Sequence, residues 1–282
     1  MPKGKPSLDR QTVDQASALE NLTLEMRVID GLLEPSERTP SFFLIAQAGF
    51  TLAGLGAVVD LSRPEICRGL QTAAKSLSAM FAVAAAAGEI EVDIGDHEPR
   101  RLSASGSNSF THCGNWRNGF FAACICRDRE ALEILAHTPT QILRSSSSKS
   151  DEAYYQYVEA MQALWLRSKD TGAKLLAALK STDPAILNLT PEDWVLNVLT
   201  PELDLASHLA DGNAEPFNES LRFAIGRHKN YWNKGDRKRK GTGFLAIGPL
   251  ALASLAYDAG LKISVESDYI PGPLWRGDCS KP

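Results

Sequence analysis

The chain has 282 residues, of which 44% are apolar and 23% charged, and a formal net charge of −4. That length can bury a sizeable core, as one large domain or two modest ones. The acidic balance excludes a general nucleic-acid binder, whose domain would be clearly basic, and plentiful Ala and Leu beside few β-branched residues favour helix.

The opening MPKGKPSLDRQTVDQ lacks the apolar stretch of a signal peptide and reads as a short disordered tail over 1–7, ahead of a single α-helical domain over 8–282. Between Leu8 and Leu33, the positions Val13, Ala16, Leu19, Leu22, Met26, Ile29 and Leu33 step by three and four, which predicts an amphipathic first helix. SERTP interrupts the chain. Ser41 to Val59 then carries no charge and is long enough to cross a bilayer. Gln47, Thr51 and the glycines at 49, 54 and 56, without an aromatic girdle or polybasic flank, favour a central helix packed on all sides instead. No membrane partner is expected.

Pro64 opens a third, Ala-rich helix, with Gly88 expected to close it. Ile90, Val92 and Ile94 alternate with acids, so a small inserted β-hairpin is expected, turning through Gly95–Pro99 and followed by the exposed loop SASGSNS. NWRNGFFAACICRDREALEILAHTP reads as one helix ending before Pro139, and SSSSKS as a flexible connector, marking a subdivision near 145–150. SDEAYYQYVEAMQAL begins a helix with Asp151 and Glu152 suited to its N-terminus. Shorter helices punctuated by Pro184, Pro191, Pro201 and Gly212 lead to a helix over EPFNESLRFAIGRHKNYWNK. The predicted fold is mostly all-α, a multi-helix bundle or helical array.

Near the C-terminus, the apolar run Phe244–Tyr257 is too short for a membrane span and is interrupted by Gly248-Pro249. It is a core helix with Pro249 in its first turn and Gly260 as its stop, with Leu250, Leu252 and Leu255 facing the core. The preceding KGDRKRKGT, with the basic residues Lys234–Lys240, is then a solvent loop.

Catalytic, metal and cofactor signatures are lacking. The cysteines (Cys67, Cys113, Cys124, Cys126, Cys279) are odd in number and scattered, which predicts reduced thiols and a cytoplasmic protein. Cys124 and Cys126 are spaced C-x-C, His112-Cys113 has no third group to complete a catalytic set, and the histidines show no zinc spacing. GFTLAGLG lacks the GK[ST] ending of a phosphate loop. No enzyme is indicated.

Charge carries more information. From Asp183 to Glu219 the acids Asp183, Glu192, Asp193, Glu202, Asp204, Asp211, Glu215 and Glu219 meet no Lys or Arg, whereas Arg222–Lys240 is strongly basic. This acidic segment is the candidate partner-binding surface, with Trp194 as an aromatic anchor or, alternatively, a core residue. The plainer reading is two solvated faces that partly neutralise each other.

Three stretches resemble the immunity protein 49 family: CRDREALEILAHTPTQIL, then SDEAYYQYVEAMQAL, then GFLAIGPLALASLAYDAGLKISVESDYIP with its Tyr-x-Pro ending. The resemblance implies a mostly α-helical immunity protein of a bacterial polymorphic-toxin system. Such a protein is encoded beside a secreted toxin and binds it without turnover. Arg127, Asp128, Arg129, Glu130, Pro139, Gly260, Tyr269 and Pro271 look like fold determinants of that family. The hairpin, the basic loop and SSSSKS match no family pattern and are where partner specificity is expected. The alternative is a helical scaffold that binds a peptide in a groove.

Overall fold

Asp14 starts the first helix: its carboxylate accepts the Ala16 N–H at 3.2 Å, so α1 (Gln15–Leu33) begins well after Leu8. Ala18, Leu22, Ile29 and Leu33 form its buried face, while Ala16 and Leu19, predicted inside, point outward. The structure is a computed structural model that describes residues 9–10, 12–34, 40–95 and 98–280. The predicted tail over 1–7, residues 36–39 of the SERTP break and the turn residues Asp96 and His97 lie outside the described residues.

The uncharged run forms α2 (Phe42–Val59), long and apolar enough to span a bilayer but buried along two thirds of its length. It packs between α1 and α3 (Pro64–Ala85). The contact with α3 is backbone to backbone. A Cβ on Gly49 would stand 2.5 Å from the Gly69 carbonyl oxygen, so only glycine permits this approach. α3 stops at Ala85 rather than Gly88, because Ala86 is already extended; the Gly88 carbonyl instead accepts the Ala104 N–H beside the hairpin. β1 (Glu89–Val92) and β2 (Arg100–Ser103) pair antiparallel, Ile90 opposite Leu102. Buried Val92 and Ile94 and the Lys75–Asp93 ion pair at 2.6 Å fasten the hairpin to α3.

The long helix predicted up to Pro139 is two. α4 (Cys113–Cys126) ends where Arg127 turns left-handed at φ 55°, and Asp128 caps α5 (Arg129–Ala136) through the Ala131 N–H. The Arg127 side chain holds the turn. It bonds both oxygens of Asp258 and the carbonyls of Ile125, Leu274 and Trp275. α6 (Thr140–Arg144) follows, and then SSSSKS, which is a packed turn rather than a loose connector: Ser146 is fully buried and donates to the Asn108 carbonyl at 2.7 Å.

In α7 (Glu152–Trp165), Asp151 does not cap its own helix; its carboxylate accepts the N–H groups of Asn188, Leu189 and Thr190, which holds its pKa below the usual carboxylate range against the opposing effect of burial. α8 (Thr171–Ser181) packs on α7. Next, α9 (Glu192–Trp194), a π-helical stretch (Val195–Leu199) and α10 (Thr200–Ala210) run as one continuous helix. Pro201, predicted to interrupt the chain, is absorbed where the winding is already wide. α11 (Ala214–Trp232), the basic turn Gly235–Arg239, α12 (Ile247–Asp258) and α13 (Gly272–Trp275) complete the fold. Gly260, at φ 86°, ends α12 as predicted, with the Leu261 N–H returning to the Ala256 carbonyl. Leu250 and Leu252 are fully buried; Leu255 is half-buried.

The chain is mostly α-helical with a single small hairpin among its described residues. Its helices form a continuous array, α1 on α2, α2 on α3, α3 on α4, α4 on α12 and α12 on α10, with α8 and α11 flanking α10. A core of Trp116, Phe120, Phe121 and Tyr157 fills the middle.

The cysteine expectation fails at one pair. Cys67 on α3 and Cys279 form a disulfide across a sequence separation of 212, and Gln71 bonds the Cys279 carbonyl at 2.9 Å. Cys113, Cys124 and Cys126 are free and buried, and burial pushes the Cys113 thiol up to about 12.

Candidate functional site

Arg117 is the only charged residue in α4. It is 6% exposed, with the rings of Phe121 and Trp194 beside it, so its guanidinium must find a counter-charge inside the protein. Glu202 of α10 supplies it. Arg117 Nε donates to Glu202 Oε2 at 2.8 Å and Nη2 donates to Oε1, while the Tyr157 hydroxyl donates to Oε2 at 2.6 Å. Nη1 reaches Asn118 Oδ1 at 2.8 Å, and the guanidinium lies over the rings of Phe121 and Trp194. Burial alone would lower the Arg117 pKa; the Glu202 carboxylate overrides it and raises it.

Above this pair opens a cleft of about 190 Å³ with Arg117 at its base and Phe43, Gln47, Asn118, Trp194 and Trp232 among its walls. α2, α4, the π-helical region and α11 each contribute. Trp194 is half-buried, edge-on to Tyr231 at 5.2 Å, and so forms a wall of the cleft rather than a free surface anchor. His228 lies at the rim of the core, its Nε2 2.9 Å from the Gly243 carbonyl oxygen.

Burial pushes the His228 pKa down to about 4. The unfolded chain binds a proton near pH 6.5 that the folded chain refuses, so stability present above that pH is lost as pH falls towards 4. The loss amounts to about 3 kcal/mol from this residue. Urea unfolding at pH 7 and 4.5 is expected to show a smaller acid loss in His228→Gln than in the unsubstituted protein. Equal losses would place the acid sensitivity elsewhere.

The structure scatters the acidic segment. Glu202 is 1% exposed and belongs to the core, because Arg117 and Tyr157 hold it there; it cannot meet a partner. Asp193 is clasped by the chain's own basic turn, by Lys234 at 3.1 Å and Arg237 at 2.8 Å. Burial works to raise its pKa, but these two cations hold it below the carboxylate range. Asp183 accepts the Ala185 N–H, and Asp204 accepts from the Ser220 hydroxyl. Glu192, Asp211, Glu215 and Glu219 are exposed, the last two one turn apart on α11.

A family model for immunity protein 49 matches residues 59–274. The chain belongs to the immunity protein 49 family. No curated protein and no solved structure matches it. The immunity protein 49 span holds the Arg117–Glu202 pair, the π-helical region and the basic turn, whereas α1 and almost all of α2 precede it. Several of its motif residues have structural roles here. Arg127 and Asp128 shape the α4–α5 turn, Gly260 ends α12, and buried Tyr269 accepts the Ala246 N–H through its carbonyl and meets His228 edge-on at 5.0 Å. Pro139 and Pro271 precede α6 and α13; Arg129 and Glu130 are exposed.

His112 and Cys113 both take structural positions in this immunity protein 49 member. His112 caps α4, its Nδ1 accepting the Gly114 N–H at 3.1 Å, and Cys113 is buried. Among the described residues no group of three or more His, Cys, Asp and Glu is placed to hold a metal.

Sequence reading missed the Arg117–Glu202–Tyr157 network. The available sign was a lone cation in an otherwise uncharged helix, which demands a buried acid somewhere else in the chain.

Proposed function

We propose that this protein is an immunity protein that neutralises a cognate toxin by stoichiometric binding, without turnover. The match of residues 59–274 to the immunity protein 49 family carries the reading. The helical array supports it by offering a preformed surface, which keeps the ordering cost of binding low. For a toxin acting on nucleic acid, exposed Asp211, Glu215 and Glu219 are suited to occupy a basic substrate groove in competition with phosphate. The Cys67–Cys279 disulfide removes the ground on which a cytoplasmic location was expected, so the proposal names no compartment.

The test is co-expression of the tagged protein with the product of its adjacent gene, read as growth and as co-purification. Rescued growth and a one-to-one complex support the proposal; a harmless neighbour that does not co-purify sinks it and favours a helical scaffold. In the same assay the triple reversal Asp211→Lys, Glu215→Lys, Glu219→Lys is expected to weaken the complex at least about tenfold, since like charges across an interface cost several kcal/mol. Unchanged affinity would remove the acidic surface and keep the immunity reading.

A further inference from the structure

The basic turn is held far more firmly than an exposed charge run requires. Its five cations, Lys234, Arg237, Lys238, Arg239 and Lys240, stand against two carboxylates, Asp236 and Asp193. Arg237 stacks on the Tyr231 ring, 3.8 Å from its centroid, while pairing with Asp193. At the far end of the turn the backbone of Gly241 rests directly on α2: a Cβ on Gly54 would fall 2.0 Å from the Gly241 carbonyl oxygen. The turn is therefore pinned at both ends, with Arg239 three-quarters exposed and Lys240 also on the surface. Fixing long cationic side chains on a preset backbone serves binding by lowering the ordering cost.

Beside the turn runs a groove of about 450 Å³ between α1 and the turn. Its floor is apolar, with Ala18, Leu55 and Phe244; its α1 wall carries Asn21 and Asp14, whose carboxylate already accepts the Ala16 N–H, and the opposite wall carries Lys238 and Arg239. An apolar floor below a cationic rim fits a polypeptide that carries carboxylates and a large apolar side chain. A single nucleic-acid strand would need an open aromatic face for its bases to stack on, and Phe244 is 2% exposed.

We propose that the pinned turn Lys234–Lys240 and the adjoining α1 groove are a docking site for an acidic segment of a partner protein. That partner is the toxin, a clause that rests on the immunity reading above.

The experiment uses the full chain. Fluorescence anisotropy measures binding of a labelled glutamate-rich peptide containing one phenylalanine, and of a single-stranded oligonucleotide of equal charge, at low and at physiological salt. Affinity for the product of the adjacent gene is measured alongside. The peptide is expected to bind more tightly than the oligonucleotide. Arg239→Glu with Lys240→Glu is expected to weaken peptide and toxin at least about tenfold, whereas the equal charge reversal Lys169→Glu with Lys180→Glu on the α8 side changes neither. Peptide binding that ignores Arg239 and Lys240, a tighter oligonucleotide, or unaltered toxin affinity in that variant each overturns the site. If the peptide responds as expected while the adjacent product never binds, the docking site stands and the immunity reading fails.

Discussion

Reduction of the Cys67–Cys279 disulfide is expected to lower the unfolding free energy by up to about 5 kcal/mol, the value that a chain-entropy account assigns to a closed loop of this size. The two sulfurs are separated by 212 residues, so the bond restrains most of the unfolded chain. In the folded state the C-terminal segment keeps other anchors. Arg127 still binds the Leu274 and Trp275 carbonyls, and Tyr269 stays buried against His228. The loss therefore falls mainly on the restraint of the unfolded ensemble, and the reduced protein is expected to remain folded at 25 °C with the same helix content. Cys67→Ser, Cys279→Ser and the double substitution should show the same deficit, because each removes one and the same bond. Guanidinium unfolding with and without a dithiol reductant measures the deficit. A thiol titration of the denatured, unreduced protein should find only Cys113, Cys124 and Cys126 reactive. Five reactive thiols before reduction, or identical midpoints with and without reductant, would show the bond does not form.

What the sequence disclosed was local. The periodicity of α1, the uncharged run of α2 and the proline-glycine punctuation of α12 each lie within a single helix; α2 and α12 formed close to their predicted places, and α1 formed with a later start. Features set by distant residues stayed hidden. Nothing in a run of helix formers announces that Arg127 turns left-handed, because its reason lies in Asp258 and the Leu274 and Trp275 carbonyls. The cysteine count was read as parity, yet the pair that joins is decided by how α3 meets the C-terminus. SSSSKS has the composition of a loose linker, and Ser146 escapes that fate through one buried hydrogen bond to Asn108. The acidic segment failed as a unified surface for a geometric reason: charges adjacent in sequence point around a helix, so Glu202 faces inward and Asp193 meets the basic turn while Asp211 and Glu219 face water.

Removing one member of the buried Arg117–Glu202 pair is expected to be more damaging than removing both. Glu202→Leu leaves a guanidinium that is 6% exposed without its carboxylate and held only by Asn118, and such orphaned charges cost about 3–5 kcal/mol. Arg117→Met strands the carboxylate, relieved only by the Tyr157 hydroxyl, and should cost a similar amount. In the double variant Arg117→Met, Glu202→Leu no charge remains to be stranded, and apolar groups of like volume can meet Phe121 and Trp194. Its stability is expected to recover most of the loss, leaving a cost close to the single hydrogen bond that Tyr157 forfeits, about 1–2 kcal/mol. Urea unfolding of the three variants measures this cycle; additive losses would contradict a tightly coupled pair. The same variants separate stability from binding. Because Glu202 is enclosed, the double variant should bind the proposed partner, the product of the adjacent gene, like the unsubstituted protein once folded, whereas a contact role for Glu202 would leave it stable and unable to bind.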